Sequence, residues 1–213
     1  MNQYKSSKDT VRRVTMTGMM IAVTLLMSYT PLGKLPLPIA EATLAHLPTI
    51  IIAILEGPVC GLISGAVMGV VSMIHCITLP VSPLDPFIAH PLVSVLPRIL
   101  IGLAAYYVYA GVSRLLKDAK LSNVIAVAAG AAAGSITNTV GVLGMLYVTQ
   151  AKSLFDAMVG QGWAAAGDNV SNVIIAMLVG IVTTNGIAEL LVVTILSTLL
   201  VMALRRAGYG RKQ

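Results

Sequence analysis

Apolar positions dominate the chain, and short polar or proline-containing segments break them into six runs. A helix that crosses a hydrocarbon layer of about 30 Å needs about 20 such residues, or somewhat fewer when flanking side chains reach the interface. The runs predict membrane-spanning helices over residues 14–30, 40–55, 59–79, 88–112, 121–148 and 187–204. An alternative reading makes residues 173–204 one long tilted helix. No long polar linker divides the pattern, so residues 1–213 are predicted to form a single transmembrane domain.

The composition supports a membrane location. Hydrophobic residues make up 57% of the 213 positions and charged residues only 10%, and the mean hydropathy is +0.89. Soluble domains carry about a quarter charged residues. Cys60 and Cys76 lie inside apolar runs, where a thiol behaves as a small hydrophobe, so they indicate no disulfide scaffold. The sequence therefore predicts an all-α integral membrane protein with six helices in a lipid bilayer.

The positions of the basic residues predict how the chain is oriented in the membrane. Eleven of the 14 Lys and Arg residues fall in three short segments, at 1–13, 114–120 and 205–212. Cytoplasmic loops of membrane proteins carry an excess of such residues. With six spans all three segments lie on one side, so both termini are predicted to be cytoplasmic. The net charge of +6 is explained by this topology and not by a nucleic-acid partner.

The segments predicted on the outer side of the membrane differ from the basic segments in proline content or in length. Prolines are dense at 31–38 and 80–86, and they make these connections stiff. The third outer segment, 149–185, is longer than a connector requires and contains Trp163, Asp168 and Asn169. Loops of that length are usually functional, so this one is a candidate lid.

Small residues mark two helix faces. Glycines recur every fourth residue at the start of the third run, as Gly57, Gly61, Gly65 and Gly69. Such a face lets another backbone approach closely, and packing within the chain is favoured over a partner surface. Gly18 and Ala22 give a shorter version in the first helix, which is a candidate for sliding against a different protein.

Arg98 is the most informative single residue. It lies ten residues into the predicted fourth span, about 15 Å from the outer end and close to the midplane. An unpaired guanidinium at that depth is costly and normally faces a cavity or a partner. Two readings stay open: Arg98 holds an anionic ligand group, as Arg holds carboxylates, or it pairs with Glu189 inside the bundle.

Other polar residues are predicted in the same outer half of the membrane. Asn185 and Glu189 are four residues apart and share a helix face. The predicted ligand-binding set is Arg98, Asn138, Asn185, His90, Tyr147, Glu189 and His75. Together these residues predict a cavity that opens to the outside.

The chain offers no recognised catalytic chemistry. It has no HExxH motif, no Cys or His cluster at metal spacing, no nucleophile elbow and no P-loop. We therefore expect no enzyme, no metal and no cofactor. Active transport would have to be powered by ion coupling or by another subunit.

Several short motifs resemble those of the substrate-binding membrane subunits, or S-components, of energy-coupling factor (ECF) vitamin transporters. They are Ala-His-Leu-Pro at 45–48, Glu-Gly-Pro-Val-Cys-Gly at 56–61 and Asn-Gly-Ile-Ala-Glu at 185–189. The segment 91–102 is most similar to the pantothenate-type branch. The likeness covers essentially the whole chain and includes the chain length and the six predicted spans.

The resemblance implies a division of labour. Such a subunit binds one vitamin, while a separate transmembrane coupling subunit and two cytoplasmic ATPases supply the energy, in the plasma membrane of a prokaryote. Family members present an Ala-xxx-Ala face of the first helix to the coupling subunit, and here Gly18 and Ala22 stand at that spacing.

The residues also bear on the ligand. Pantothenate is favoured because it has one carboxylate, an amide and two hydroxyls, and aromatic residues that would stack a flat ring make up only 5% of the chain. Another small vitamin or precursor is the alternative within the family. A stand-alone ion-coupled carrier is the alternative of another class.

Overall fold

A computed structural model describes residues 7–36, 41–116 and 121–210. The helices in chain order are α1 (Ser7–Tyr29), α2 (Leu47–Glu56), α3 (Pro58–Thr78), α4 (Asp85–Ile88), α5 (Pro91–Ser94), α6 (Leu96–Leu115), α7 (Ser122–Gly160), α8 (Val170–Ile181) and α9 (Ile187–Arg206). A five-residue π-turn, Val182–Gly186, joins α8 to α9. The strands β1 (Lys34–Pro36) and β2 (Glu41–Thr43) pair antiparallel between α1 and α2.

The helical prediction is confirmed apart from this small hairpin. In the described part of the chain five helical stretches are long and apolar enough to cross a membrane. They are Thr10–Tyr29, Pro58–Thr78, Pro91–Leu115, Ser122–Gly160 and Val170–Arg206. The count of six spans is not reproduced, and the difference lies in the second run.

The second apolar run, predicted as a span over 40–55, forms only the 10-residue helix α2. Residues 41–46 belong to β2 and the following turn, so the helix begins late. All its residues are buried, because α1, α3, α6, α7 and α9 surround it. It ends at Gly57, whose φ of 103° suits glycine, and Pro58 starts α3 at once. A helix that is apolar on all sides belongs to a core, and length alone separates it from a span.

The fourth run, predicted as one helix over 88–112, begins at the last residue of the short helix α4 and continues in α5 and α6. A proline stands near the start of each: Pro86, Pro91 and Pro97. Proline suits the first turn of a helix and disfavours helical conformation in the residue before it. The helix is therefore interrupted at His90, whose backbone is extended, whereas α5 and α6 form one helical stretch, Pro91–Leu115.

Residues 149–185 were expected to form a long outer loop, and most of them are helical. Helix α7 continues to Gly160, and α8 begins at Val170 with Asn169 as its N-cap. The two helices pack through a separate apolar cluster that includes Leu154, Phe155 and Ile174. The alternative long helix over 173–204 is closer to the structure, in which helix continues from Val170 to Arg206 through the π-turn.

The glycine face of α3 packs inside the chain. A Cβ atom at Gly61 would lie 3.1 Å from Gly102 Cα, and one at Gly69 would lie 2.7 Å from Val95 Cα. A Cβ atom at Gly65 would clash with the carbonyl oxygen of Arg98. The repeat therefore brings α3 and α6 into backbone contact, as the packing interpretation expected.

Both described chain ends lie at one end of the bundle. Arg12 Nη2 donates to the carbonyl of Gly210 at 3.2 Å. Arg12 and Arg13 also pair with Glu56, which is fully buried at the end of α2, over 3.5 and 3.7 Å. Arg205 of α9 donates to the Tyr109 hydroxyl at 2.7 Å. Polar bonds thus connect the start of α1 to the segment after α9 and to the core helix α2, and connect α9 to α6.

Gly18 and Ala22 are exposed on the outside of α1. A Cβ atom at Gly18 would meet nothing within 4 Å in the described part of the chain. That this face binds a partner protein stays a prediction.

Candidate functional site

A cavity of about 210 Å³ lies between the helices, nearer the end of the bundle opposite the chain ends. It begins beside the last turns of α1 and α3 and is closed by α6, α7 and the π-turn. Its polar lining consists of Ser28, Thr43, Ser72, His75, Cys76, Ser82, Asp85, Arg98, Asn138, Thr139, Asn185 and Glu189. Leu84, Ile88, Val142, Leu143, Leu146 and Ile181 are among its apolar lining residues. Five of the seven predicted ligand-binding residues therefore come together here.

Arg98 lies in the first turn of α6 and is 7% exposed. Its Nη1 atom donates to the carbonyl of Val93 at 2.6 Å. That carbonyl would normally accept from the residue four positions later, which is Pro97 and has no N–H. The arginine therefore satisfies an acceptor that the proline leaves open, and this bond fixes the guanidinium. Its buried Nε atom has no hydrogen-bond partner among the described residues.

Glu189 lines the same cavity from α9 and is also 7% exposed. Asn138 Nδ2 donates to its Oε1 atom at 3.1 Å. His46 Nε2 lies 3.5 Å from the same oxygen. The buried Oδ1 atom of Asn138 has no hydrogen-bond partner within the described structure. Glu189 is thus hydrogen-bonded to α7, while His46 approaches it without a hydrogen bond. Of the two readings left open for Arg98, the ion pair with Glu189 is not formed among the described residues.

Asn185 lies in the π-turn and is 4% exposed. Its Oδ1 atom is buried and has no hydrogen-bond partner in the described part of the chain. A π-turn inserts one extra residue into a helix and is frequent at functional sites. It places Asn185, Gly186 and Glu189 together on the cavity wall. The wall therefore presents amide oxygens without partners beside a fixed guanidinium.

The mouth of the cavity is formed by the ends of α1 and α3 and by the loop before α4. The His75 and Tyr29 rings are in contact, with centroids 5.5 Å apart. Asp85 Oδ2 accepts from the backbone N–H groups of Val81 and Ser82 at 2.7 and 2.8 Å. Asp85 therefore stabilises the loop at the mouth while it lines the cavity.

Two predicted residues do not line the cavity. His90 caps α5 at the break between α4 and α5, because the run is not the continuous helix that the prediction assumed. Tyr147 packs against the apolar cluster of α7 and α8. It follows Asn138 by nine residues, which at 3.6 residues per turn puts it on about the opposite face of α7.

Sequence reasoning missed several residues at the site, one beside Glu189 and three on the cavity wall. His46 stands out in the sequence only as part of a motif, and it is fully buried against Glu189. Thr43, Ser72 and Asp85 line the cavity from the hairpin, from α3 and from the start of α4. A polar residue within an apolar stretch was the available signal for Ser72, whereas nothing periodic marks the other three.

The arrangement suits a small ligand with one anionic group. Buried polar atoms that lack partners are costly unless a ligand or water satisfies them. Arg98 offers donors for an anion, and Asn138 and Asn185 offer acceptors for hydroxyl or amide protons. Apolar side chains on the remaining wall can contact a carbon skeleton.

Comparison with known proteins agrees with this description. The profile of the family "ECF transporter, substrate-specific component" matches residues 12–204. The chain is also 31% identical over 185 residues to the pantothenic acid transporter PanT of Lactococcus lactis subsp. cremoris (strain MG1363), and the match covers 81% of each chain. With a family match over most of its length and several membrane-length helices, the chain belongs to the substrate-specific components of ECF transporters, which are multi-pass membrane proteins and not enzymes.

Proposed function

We propose that this chain is the pantothenate-binding subunit of an ECF-type vitamin importer. The observation that carries the proposal is Arg98, a buried arginine that faces a cavity and has no ion-pair partner there among the described residues. A guanidinium so placed needs an anion, and Arg binds carboxylates through two parallel hydrogen bonds. The similarity to PanT supports pantothenate among the carboxylate vitamins.

The other polar atoms of the cavity match the hydroxyl and amide groups of pantothenate. Pantothenate carries two hydroxyls and an amide N–H beyond its carboxylate, and the Oδ1 atoms of Asn138 and Asn185 lack partners in the described structure. His75 lies near the mouth, where its ring contacts Tyr29. No tryptophan lines the cavity in the described chain, which disfavours ligands recognised by ring stacking.

The distribution of basic residues supports one orientation of the chain in the membrane. The end that carries Arg12, Arg13 and Arg205 is basic, and basic ends face the cytoplasm. Both termini are then cytoplasmic and the cavity lies toward the outside of a prokaryotic plasma membrane. The chain would work with a transmembrane coupling subunit and two cytoplasmic ATPases. The exposed Gly18 and Ala22 face of α1 is the proposed contact with the coupling subunit, and the α7–α8 hairpin is the candidate lid.

Binding to the purified protein tests the proposal most directly. Wild-type protein in detergent is titrated with pantothenate, with biotin and niacin, and with pantothenol, in which an alcohol replaces the carboxylate. We expect pantothenate to stabilise the protein against heat more than the other three. No stabilisation by any carboxylate vitamin would refute the proposal.

Variants then assign the carboxylate contact. Arg98→Gln should weaken pantothenate binding about 100-fold or more, because a buried charge-assisted contact is lost. It should change pantothenol binding much less. Arg114→Gln, on the exposed far end of the same helix, is the matched control and should bind normally. Equal pantothenate affinity for Arg98→Gln and Arg114→Gln would contradict the role given to Arg98.

A transport assay separates this proposal from an ion-coupled carrier. Uptake should require co-expression of the coupling subunit and the ATPases. Uptake by this chain alone, abolished by an ionophore, would instead identify a stand-alone carrier.

A further inference from the structure

Charge is unevenly distributed over the wall of the cavity. Among the described lining residues Arg98 is the single Lys or Arg, whereas Asp85 and Glu189 both carry carboxylates. One anionic group of a ligand can therefore be balanced by the guanidinium, but a second anionic group would find no further guanidinium or ammonium group there. Like charges placed against each other in a binding site disfavour the wrong partner strongly. The wall therefore favours ligands with one negative charge over ligands with more.

Asp85 is held in place at the mouth of the cavity. Its Oδ2 atom accepts from the backbone N–H groups of Val81 and Ser82 at 2.7 and 2.8 Å. Its Oδ1 atom accepts from the thiol of Cys76, whose sulfur lies 3.8 Å away. A carboxylate oxygen can accept two hydrogen bonds, so Oδ1 has room for one more donor beside the described residues. The carboxylate cannot turn away from a ligand without losing its bonds to the loop.

Asp85 and Arg98 line the same cavity at different depths. On α3, Gly69 packs against the backbone of Val95, three residues before Arg98. Cys76, which contacts Asp85, follows Gly69 by seven residues and so lies about 10 Å nearer the mouth along the helix axis. The Arg98 side chain extends toward the mouth as well, since its guanidinium bonds to a carbonyl five residues earlier in the chain. The two charged groups are therefore about 10 Å apart or less along the cavity.

Pantothenate has a matching length. The chain of bonds from its carboxylate carbon to its primary hydroxyl oxygen extends over about 10 Å. With the carboxylate on Arg98, the other end of the molecule therefore reaches the level of Asp85. The open acceptor position of the Asp85 carboxylate suits the O–H donor that the vitamin carries at that end.

We infer that Asp85 is a specificity-determining residue, which accepts the primary hydroxyl of the vitamin and excludes ligands that carry a phosphate ester at that position. This inference rests on the proposed function. A phosphate ester replaces the hydroxyl donor by a group with about −1.5 to −2 charge at pH 7. That charge would lie against a carboxylate that the loop holds in place. The cavity therefore takes the free vitamin and rejects its phosphorylated form.

Three ligands test the charge requirement on wild-type protein in detergent. They are pantothenate, its phosphate ester at the primary hydroxyl and the neutral acetate ester at the same position, each titrated by calorimetry. The phosphate ester should bind at least about 100-fold more weakly than pantothenate, because of like-charge repulsion. The acetate ester should bind less than about 10-fold more weakly, because it loses only a hydrogen bond. Equal rejection of the two esters would overturn the inference, since it would mean that the cavity excludes by size.

The variant Asp85→Asn tests whether this residue causes the rejection. It removes the charge and keeps a side-chain oxygen that can accept from the loop. The ratio of the dissociation constants for the phosphate ester and for pantothenate should fall at least about 10-fold. Asp156→Asn, which removes an exposed carboxylate of α7, is the matched control and should leave the ratio unchanged. An unchanged ratio in Asp85→Asn would overturn the inference, because a carboxylate that only stabilises the loop affects both ligands alike.

Two further comparisons make the outcome unambiguous. If melting in detergent shows that Asp85→Asn is unfolded, Asp85→Ser takes its place, because its hydroxyl can also accept from the loop, and the same fall in the ratio is expected. Wild-type protein that fails to bind pantothenate would refute the proposed function and this inference together. Wild-type protein that binds pantothenate, with a ratio that does not depend on residue 85, would refute the inference alone.

Discussion

Replacing Gly102 by alanine should force α3 and α6 apart. A Cβ atom at position 102 would lie 2.5 Å from the carbonyl carbon of Gly61, 2.6 Å from its oxygen and 2.7 Å from its Cα atom. Carbon atoms in contact normally lie about 3.5–4.0 Å apart. All three neighbours are backbone, so no side chain can turn away. The helices must therefore separate by about 1 Å along this seam.

Two opposing contributions set the change in unfolding free energy that Gly102→Ala causes. Alanine is favoured over glycine in a helix by up to about 1 kcal/mol. Overpacking a close contact costs about 1–3 kcal/mol, and the separation also loosens the neighbouring contact between Gly65 and the backbone of Arg98. We expect a net loss of about 1–2 kcal/mol, which for a chain of this size lowers the unfolding temperature by about 4 °C.

A matched variant on the same helix isolates the clash. A Cβ atom at Gly111 would meet nothing within 4 Å among the described residues, so Gly111→Ala should keep or slightly raise the unfolding temperature. Both variants and the wild type are melted in the same detergent. If Gly102→Ala is as stable as Gly111→Ala, the backbone contact between α3 and α6 does not exist as described.

Two further substitutions test how the charged residues are held. Pro97→Ala supplies an N–H that competes with Arg98 for the Val93 carbonyl. Pantothenate affinity, measured by calorimetry, should fall several-fold, while thermal stability should not decrease. An unchanged affinity would contradict the role given to the bond between Arg98 and Val93. Glu56→Gln removes the buried carboxylate that Arg12 and Arg13 share. Because both arginines are partly exposed, we expect a loss of about 1–3 kcal/mol in unfolding free energy, and a stability equal to wild type would show that the pairs contribute nothing.

Hydropathy predicted those helices that have one side toward lipid, because a long apolar run with a small-residue face is typical of a membrane-spanning helix. It failed for α2, since a helix buried on every side has the composition of a span and differs only in length. It also failed for residues 149–160 and 170–181, which are helical. Trp163 and Asp168 do lie in a loop, between α7 and α8. The loop is shorter than predicted because contacts between the two helices, such as those of Phe155 in their shared apolar cluster, form only in three dimensions.

Residues of the candidate site could be predicted where a charged or polar side chain interrupts an apolar run. Arg98 is a lone charge at depth, and Asn185 and Glu189 share a helix face, so the sequence alone could bring them together. His46 lies in a turn before a helix, where helical spacing does not indicate which residues its side chain contacts. Its contact with Glu189 joins positions far apart in the chain, and no spacing rule predicts such a pair.

The burial of α2 bears on how the chain enters its membrane. Ten residues of helix extend about 15 Å, half of a hydrocarbon layer, so α2 alone is too short to be anchored as an independent segment. It also has no surface left for lipid once the surrounding helices are assembled. Its insertion must therefore be coupled to that of its neighbours, and above all to α3, which follows it after a single glycine. A nascent chain that ends after α2 would hold this segment at the membrane surface, and only the synthesis of later helices would draw it into the interior.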